Sequence, residues 1–437
     1  MHNITLDMRM PDAQQACNII TCHNERLGIC LDYDKLLEYY AHTVIIGRDL
    51  RKRIQKYLGY GLSGKMTPDE FLAYLKRFGV HEGLLTTKGG ALSASSPSLQ
   101  NAIDTGLYGE GLVVLMKAYQ KLREAEYMEG ALHEYTRYTP VNVPTFDGHR
   151  MIVVHPTWNV QATGRFAMKD PAIQNIAKVM SDVNTVPEGW ILYECDSSQI
   201  EPRIIYSAFI PDKQIQALIN LYNDAYFGLL HYVTMPIEDI ASGRTDFVKH
   251  EITDEMQEKR QFLKKLGNGI MYGKQSNPGN DPLIENYIKR IGGHPMRVKW
   301  QKRCEEAVDR GQRIFNTVFG TPIDITVSDG KDKYTTPESE RLHFIRCAIN
   351  NPIQGTAGDL ARYSVMMADH FLTRNCPNSV ILKYTHDSGT FAIHEKDYDK
   401  AMPVLKDITA YQVEGWIPIY SKGEEGRYKD CLFPDIL

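Results

Sequence analysis

The run Trp190-Ile191-Leu192-Tyr193-Glu194-Cys195 is apolar and aromatic, follows Pro187-Glu188-Gly189, and leads into Asp196-Ser197-Ser198-Gln199-Ile200-Glu201-Pro202-Arg203. Such a run reads as a short buried strand, and an acid at its end is fixed in place at the rim of a sheet. A carboxylate removed from water there needs a cation or an Arg or Lys partner, which makes Asp196 a candidate metal ligand. The alternative for a strand-end Asp is to cap the helix that follows.

Two further stretches bear on that choice. Ile381 to Ile393 reads as two short strands rich in Ile, Tyr, Phe and Thr, folded back at Asp387-Ser388-Gly389. If these strands neighbour the one ending at Asp196, two acids meet at one point, the arrangement that a pair of divalent cations needs for phosphoryl transfer. The other stretch, Lys259 to Gly273, follows Asp254, Glu255 and Glu258, acids that favour a helix start near Thr253. Residues four apart drift by only about 40° around a helix, so Arg260, Lys264, Asn268 and Tyr272 share one face. Two cations a turn apart suit a polyphosphate. Gly267, Gly269 and Gly273 weaken such a helix, so a close backbone approach or flexibility is expected there.

These three segments resemble motifs of the family A DNA polymerases. Asp196 to Arg203 is similar to the family's Asp-Tyr-Ser-Gln-Ile-Glu-Leu-Arg, Arg260 to Gly273 to its Arg-x3-Lys-x7-Tyr-Gly, and His386-Asp387 to its His-Asp-Glu. Thr163-Gly164-Arg165-Phe166 resembles Thr-Gly-Arg-Leu, continued by Pro171 to Ile176. Arg346 to Ala357 resembles Arg-x2-Ile-Asn-x-Pro-x-Gln-Gly-Thr-Ala. The blocks keep the family's order from about residue 155 to 390, which is far more specific than any one of them.

The resemblance implies an α+β right-hand polymerase with an antiparallel-sheet palm, helical fingers and a helical thumb. It implies residues 1–33 as a lead-in, 34–149 as thumb, 150–210 and 346–437 as palm, and 211–345 as fingers. The implied activity is template-directed addition of deoxynucleotides to a primer 3′ end. Asp196, Asp387 and the backbone carbonyl of Ser197 would hold two Mg²⁺ ions, with Mn²⁺ as a substitute. Arg260 and Lys264 would neutralise the incoming phosphates, Lys264 also serving as proton donor to the leaving pyrophosphate. Gln199, Asn268 and Tyr272 would border the nucleotide, and His231 stands in a position similar to a phosphate-contacting His. Glu201 would sit against the sugar and exclude a 2′-hydroxyl. Arg165, Arg346, Asn350, Gln354 and His386 would contact the primer–template.

Three departures from the family pattern stand out. Asn268 replaces an aromatic residue, Pro202 replaces Leu, and Ser388 replaces the Glu after the catalytic Asp. His-Asp-Ser-Gly-Thr is closer to the single-subunit phage RNA polymerases, which keeps an RNA polymerase-like enzyme open as an alternative. A catalytically idle primer–template-binding protein is the other.

In the first third of the chain, Leu36, Leu37, Tyr40, Val44 and Ile45 recur at helical spacing ahead of Arg48, Arg51, Lys52, Arg53 and Lys56. Thr67-Pro68-Asp69-Glu70 is a capping box. Gly111 to about Tyr135 reads as a second long helix with Leu115, Tyr119, Leu122 and Tyr127 near one face. This pattern resembles the family's thumb, so the basic run and Lys88 are candidate phosphate contacts. Arg297, Lys299, Lys302 and Arg303 around Trp300 read either as a template contact with a stacking aromatic or as a plain helix surface.

Composition narrows the class. Net charge is −4, so any nucleic-acid groove is a local positive lining. Eight scattered cysteines without a Cys-x-x-Cys pair read as free thiols. With no signal peptide and no long apolar run, an intracellular, non-membrane protein is expected, in a nucleoid or in a host cytoplasm if phage-encoded. No Asp-x-Glu precedes residue 190, so a 3′–5′ exonuclease is expected on a separate polypeptide. A helicase, primase or processivity factor is a further expected partner, beside primer–template DNA and dNTPs.

Overall fold

A computed structural model describes residues 1–58, 66–86, 91–145, 147–176, 178–271, 281–326 and 336–426. The chain divides into two compact units. Among the described residues, the first takes Met1–Ile29, His155–Gln174 and 189–426, and the second takes Cys30–Val154 and 175–188. It is an α+β protein.

The first unit is built on a four-stranded antiparallel sheet in the order Ser421–Gly426, Trp190–Ser197, Ser388–His394, Val380–Thr385. Alternation along these strands decides which side is core. Tyr193, Cys195, Ile381, Tyr384, Phe391 and Ile393 are buried with Ala16, Cys17 and Ile20 of the helix Ala13–Leu27 and with Val365, Ala368 and Leu372 of the helix Pro337–Asn375. Off that core, Glu194 accepts a hydrogen bond from Thr390 at 3.0 Å and pairs with Lys383 at 3.4 Å.

Of the stretch expected as a lead-in, residues 1–33, Met1–Ile29 folds with this unit and Cys30 begins the second. The strand His2–Ile4 pairs in parallel with Tyr411–Val413, and the helix Ala13–Leu27 packs on the sheet. Apolar residues at Ala16, Cys17 and Ile20 are the signal that could have shown it. The fingers–palm boundary at 345/346 also falls inside a single 39-residue helix, Pro337–Asn375. That helix starts at a capping box of Thr336 and Ser339 and continues past Pro352, buried in its interior.

A second core of this unit gathers the helices Lys213–Tyr222 and Ala225–Thr234 with Leu263, Tyr287 and Ile291. The helix Asp254–Met271 begins where the acids predicted and runs through Gly267 and Gly269. A Cβ at Gly267 would stand 2.7 Å from the hydroxyl of Tyr287, so close approach accounts for that glycine. Trp300 packs on Phe209 with ring centroids 5.2 Å apart, on the buried side of the helix Pro295–Asp309, so it is a packing residue and not a free stacking platform.

In the second unit the helices Tyr33–Leu58 and Glu110–His133 pack side by side, and a Cβ at Gly47 would stand 3.8 Å from that of Ala125 at their contact. The buried stripe of the first is Leu36, Tyr39, Thr43, Gly47, Ile54 and Leu58. Ile45 and Tyr127, expected on packed faces, are 64% and 61% exposed. The packed stripe runs through Thr43, whose hydroxyl donates to the Tyr39 carbonyl at 2.7 Å, and Gly47, neither of which hydrophobic spacing marks. Arg51 pairs with Glu126 and Arg53 with Asp49, leaving Arg48, Lys52 and Lys56 as an exposed stripe at four-residue spacing. The capping box at Thr67 and Glu70 forms as expected, and the helix it starts, Pro68–Arg77, buries Phe71, which stacks on Tyr119 at 3.8 Å and 9°. The Thr86–Gly90 loop with Lys88 lies almost wholly outside the described residues.

Phe71 is fully buried, so Phe71→Ala should remove about 3–5 kcal/mol from the second unit. The expected readout is a lower denaturant midpoint for that unit at unchanged slope, and an unshifted midpoint would contradict the packing described.

Candidate active site

The strands Trp190–Ser197 and Ser388–His394 are adjacent, and their register sets Ser388 opposite Asp196. The backbone N–H of Ser197 donates to the carbonyl of Asp387 at 2.9 Å. Asp196 and Asp387 are therefore neighbours across one strand pair, although 191 positions apart in sequence. Two details differ from expectation. The strand continues through Asp196 to Ser197, and with Cys195 and Ser197 buried, alternation turns Asp196 outward, where it is exposed. The turn is His386-Asp387, not Asp387-Ser388-Gly389, because His386 takes a left-handed conformation (φ 54°) and Ser388 already pairs as strand. Asp387 is half-buried at that turn.

The electrostatics confirm the neighbourhood. Burial pushes the Asp387 carboxyl up to about 6; its own backbone hydrogen bond and the charge of Arg165 oppose the rise, while Asp196 and Glu201 add to it. His386 is lowered by burial and then by Arg165, with Glu201 acting the other way. Asp196, Glu201, Arg165, His386 and Asp387 thus form one charged cluster. Glu201 and Arg165 are an ion pair, both largely buried.

The turn that carries Glu201 is braced from below. Gln199 is left-handed (φ 53°) and starts the helix Ile200–Ile204, with Pro202 accommodated in its first turns. Arg203 is fully buried and donates to the carbonyls of Ser198 (3.1 Å), Pro418 (2.6 Å) and Asn223 (3.1 Å). The Ser197 hydroxyl donates to the carbonyl of Thr409 at 2.9 Å.

Arg165 sits in the turn between the paired strands Thr157–Val160 and Phe166–Lys169. Gly164 (φ 74°) passes against Arg362, whose NH1 donates to the Gly164 carbonyl at 2.9 Å. A Cβ at Gly358 would stand 3.1 Å from the carbonyl carbon of Gly164, so the helix Pro337–Asn375 lies directly under this turn. Arg346, Asn350 and Gln354 follow at four-residue spacing on that helix, and Gln354 adjoins the contact. Arg346 is exposed. Asn350 Oδ1, Arg165 Nε and His386 Nδ1 are buried polar atoms without a hydrogen-bond partner among the described residues. Such groups call for a ligand or water.

Arg260 is moored to this region through Asp224, with its NH2 2.6 Å from Oδ2, and Gln199 Nε2 reaches the same oxygen at 2.5 Å. Asp224 escaped the sequence reading; its signal was the N-cap position before the helix Ala225–Thr234. Lys264, one turn after Arg260, is exposed. Asn268 lies on the same helix with its side chain outside the described residues, and Tyr272 lies outside them altogether. His231 is buried; its Nδ1 meets the Tyr222 hydroxyl at 3.0 Å and its ring stacks on His250 at 4.2 Å. Burial, then the charge of His250, lowers its pKa to about 4. The contacts described for His231 are internal to the helical core, and none is with Arg260, Gln199 or the acids.

The family model described as DNA polymerase family A matches residues 111–428. The chain belongs to DNA polymerase family A. Among curated relatives it is 24% identical to DNA polymerase I of Rhizobium leguminosarum over 352 residues, 74% of this chain and 30% of that protein. It is 26% identical to DNA polymerase I of Caldicellulosiruptor bescii over 281 residues (61% and 30%) and 23% identical to the DNA polymerase of Bacillus phage SP01 over 320 residues (64% and 32%). The chain thus spans about a third of the length of these relatives. The POL domain of Pol1 from M. smegmatis, solved in complex with DNA primer-template and dNTP, shares the fold at a TM-score of 0.73, with 20% identity over 96% of this chain and 70% of that one. The sequence blocks that carry the family resemblance fall within the matched span.

Among the described residues no three His, Cys, Asp or Glu side chains cluster as a metal site. Because the folded Asp387 titrates near 6 rather than the usual 3.8, ionising it opposes folding. Below about pH 3 both states are protonated and there is no penalty; it grows as the pH rises from there to about 6 and is complete above. Asp387→Asn should therefore be more stable than the unmodified chain at pH 7, by on the order of 2 kcal/mol, and equal to it at about pH 3. Melting curves at the two pH values test this, and a variant less stable at pH 7 would contradict it.

Proposed function

We propose that the chain is a template-directed DNA polymerase that adds deoxynucleotides to a primer 3′ end. The observation that carries this reading is the register Ser388 opposite Asp196 with the Ser197–Asp387 backbone bond, which joins two motif acids in a family A fold. Asp196, Asp387 and the Ser197 carbonyl are hard oxygen donors, and the raised pKa of Asp387 beside a like charge marks a place where a cation is favoured. They would hold Mg²⁺, or Mn²⁺ in its place. Two such ions supply charge stabilisation for an in-line displacement at phosphorus.

The rest is done by side chains of the chain itself. Arg260 and Lys264 bind the triphosphate, and Lys264 delivers a proton to the pyrophosphate as it leaves. Asn268 and Tyr272 border the incoming nucleotide. Glu201, oriented by Arg165, stands against the sugar and rejects a 2′-hydroxyl by excluding it from the space it fills. Asn350, Gln354, Arg346, Arg165 and His386 offer donors and acceptors to the minor-groove side of the primer–template, where acceptors recur in every correct pair. Residues 34–149 act as the thumb, 211–345 as the fingers and 150–210 with 346–437 as the palm, with Arg48, Lys52 and Lys56 contacting duplex phosphates. A helicase, primase or processivity factor on other chains is a proposed partner. No described helix is long and apolar enough to cross a membrane, and an intracellular site of action is part of the proposal.

Extension of a labelled primer with dNTPs, then with rNTPs, with Mg²⁺ present or chelated, tests the proposal. DNA product that requires the metal is expected; RNA product would indicate an RNA polymerase, and binding without extension an idle relative. Asp387→Asn should leave primer–template affinity within about twofold and lower turnover by several orders of magnitude, because acids at a metal site serve the transition state more than duplex binding. Equal turnover would refute its role. Neutralising Arg48, Lys52 and Lys56 together should flatten the salt dependence of DNA binding by about three units of log–log slope, and an unchanged slope would remove them from the interface.

A further inference from the structure

Asp224 precedes the helix Ala225–Thr234 and caps it: Oδ1 accepts from the backbone N–H of Tyr226 at 3.0 Å and of Phe227 at 2.9 Å. Serine or asparagine would cap equally well, so the cap does not account for a carboxylate. The second oxygen does. Oδ2 receives Arg260 NH2 at 2.6 Å and Gln199 Nε2 at 2.5 Å, while Arg260 Nε lies 3.1 Å from both oxygens. Gln199 closes the loop by accepting from the Ala225 N–H at 2.5 Å. Burial works against the charge on Asp224, yet the hydrogen bonds from Arg260, Phe227 and Gln199 outweigh it and hold the carboxyl below its usual range.

The geometry at Arg260 is one-sided. Asp224 takes the Nε–NH2 edge of the guanidinium, and the rings of Phe227 and Tyr226 lie 5.3 and 5.8 Å away, restricting its plane. NH1 has no hydrogen-bond partner among the described residues. A guanidinium held by one edge presents the other in a fixed direction, the geometry that recognises phosphate oxygens.

Resting on the polymerase reading above, we propose that Asp224 is a positioning residue for nucleotide addition. It grips Arg260 by one edge so that the opposite edge meets the incoming triphosphate. Through Gln199 it also ties the Arg260 helix to the turn that follows Asp196. The opposite arrangement, in which Asp224 competes with the triphosphate for Arg260, predicts the reverse change in nucleotide affinity.

Asp224→Ser keeps a cap and removes the grip. In steady-state extension by the full chain, its KM for dNTP should rise about tenfold with kcat changed less than about threefold and primer–template affinity unchanged. Arg260→Ala should raise KM at least as much, and the double variant no further than Arg260→Ala alone, since Asp224 acts through Arg260. Asp224→Asn, which keeps the shape and the cap, gives the same readout should the serine variant fold poorly. An unchanged or lowered KM, or effects of the two single variants that multiply, would overturn the assignment. Extension by the unmodified chain with KM unmoved in the variants sinks only this inference; no extension by the unmodified chain sinks the polymerase reading and this one with it.

Discussion

Everything functional in this chain depends on one strand pairing. If Ser388–His394 slipped by one residue against Trp190–Ser197, Asp196 would face another partner and every side chain of the moving strand would change faces. The core prevents the slip: Tyr193, Cys195, Phe391 and Ile393 are all buried, so a one-residue shift would bring Thr390 and Ala392 to the places of aromatic and branched side chains. Gly389 adds a second constraint, because a Cβ there would stand 2.9 Å from the rings of Phe391 and Tyr384. The proximity of the two acids is thus enforced by apolar packing on the opposite face of the sheet.

That proximity is unfavourable in itself. Burial of Asp387 is the main cost and the neighbouring Asp196 carboxylate adds to it, as the raised pKa shows. Two cations stand close by: Arg165, paired with Glu201, opposes the rise, and the register sets Lys422 opposite Asp196 on the adjoining strand.

Much of this was legible in the sequence and some was not, for definable reasons. The sheet strands, the helix starting near Thr253 and the capping box at Thr67 could be read because local patterns determine them. The position of the turn at His386 could not, since it depends on a left-handed residue other than glycine. The packed stripe through Thr43 and Gly47 escaped because neither carries an apolar side chain for hydrophobic spacing to mark. His231 was selected by its place relative to a family motif; what decides its surroundings is tertiary, namely burial against Tyr222 and His250. Asp224 escaped for a related reason. Its capping role is local and readable, while its grip on Arg260 spans 36 positions and leaves no periodic trace.

Buried arginines show how the irregular backbone around such a site is held. Loops that carry functional side chains leave carbonyls without ladder partners, and a buried carbonyl needs a donor. Arg203 serves Ser198, Pro418 and Asn223, and Arg362 serves Gly164 and Pro11. A lysine presents a compact point charge and could not span such separated acceptors, whereas the planar guanidinium carries five donors in a fixed fork. Each charge needs an answer in turn. Arg362 is paired with Asp359, whose other contacts are the hydroxyls of Thr317 at 2.5 Å and Thr321 at 2.9 Å, from the segment that joins the strands Ile314–Asn316 and Pro322–Asp324. Burial drives Asp359 up and Arg362 down, and the pair resists both shifts. The turn bearing Arg165 and the turn bearing Glu201 are thus each fixed by an arginine beneath them, so the Arg165–Glu201 pair joins two braced segments and its geometry is set before any substrate arrives.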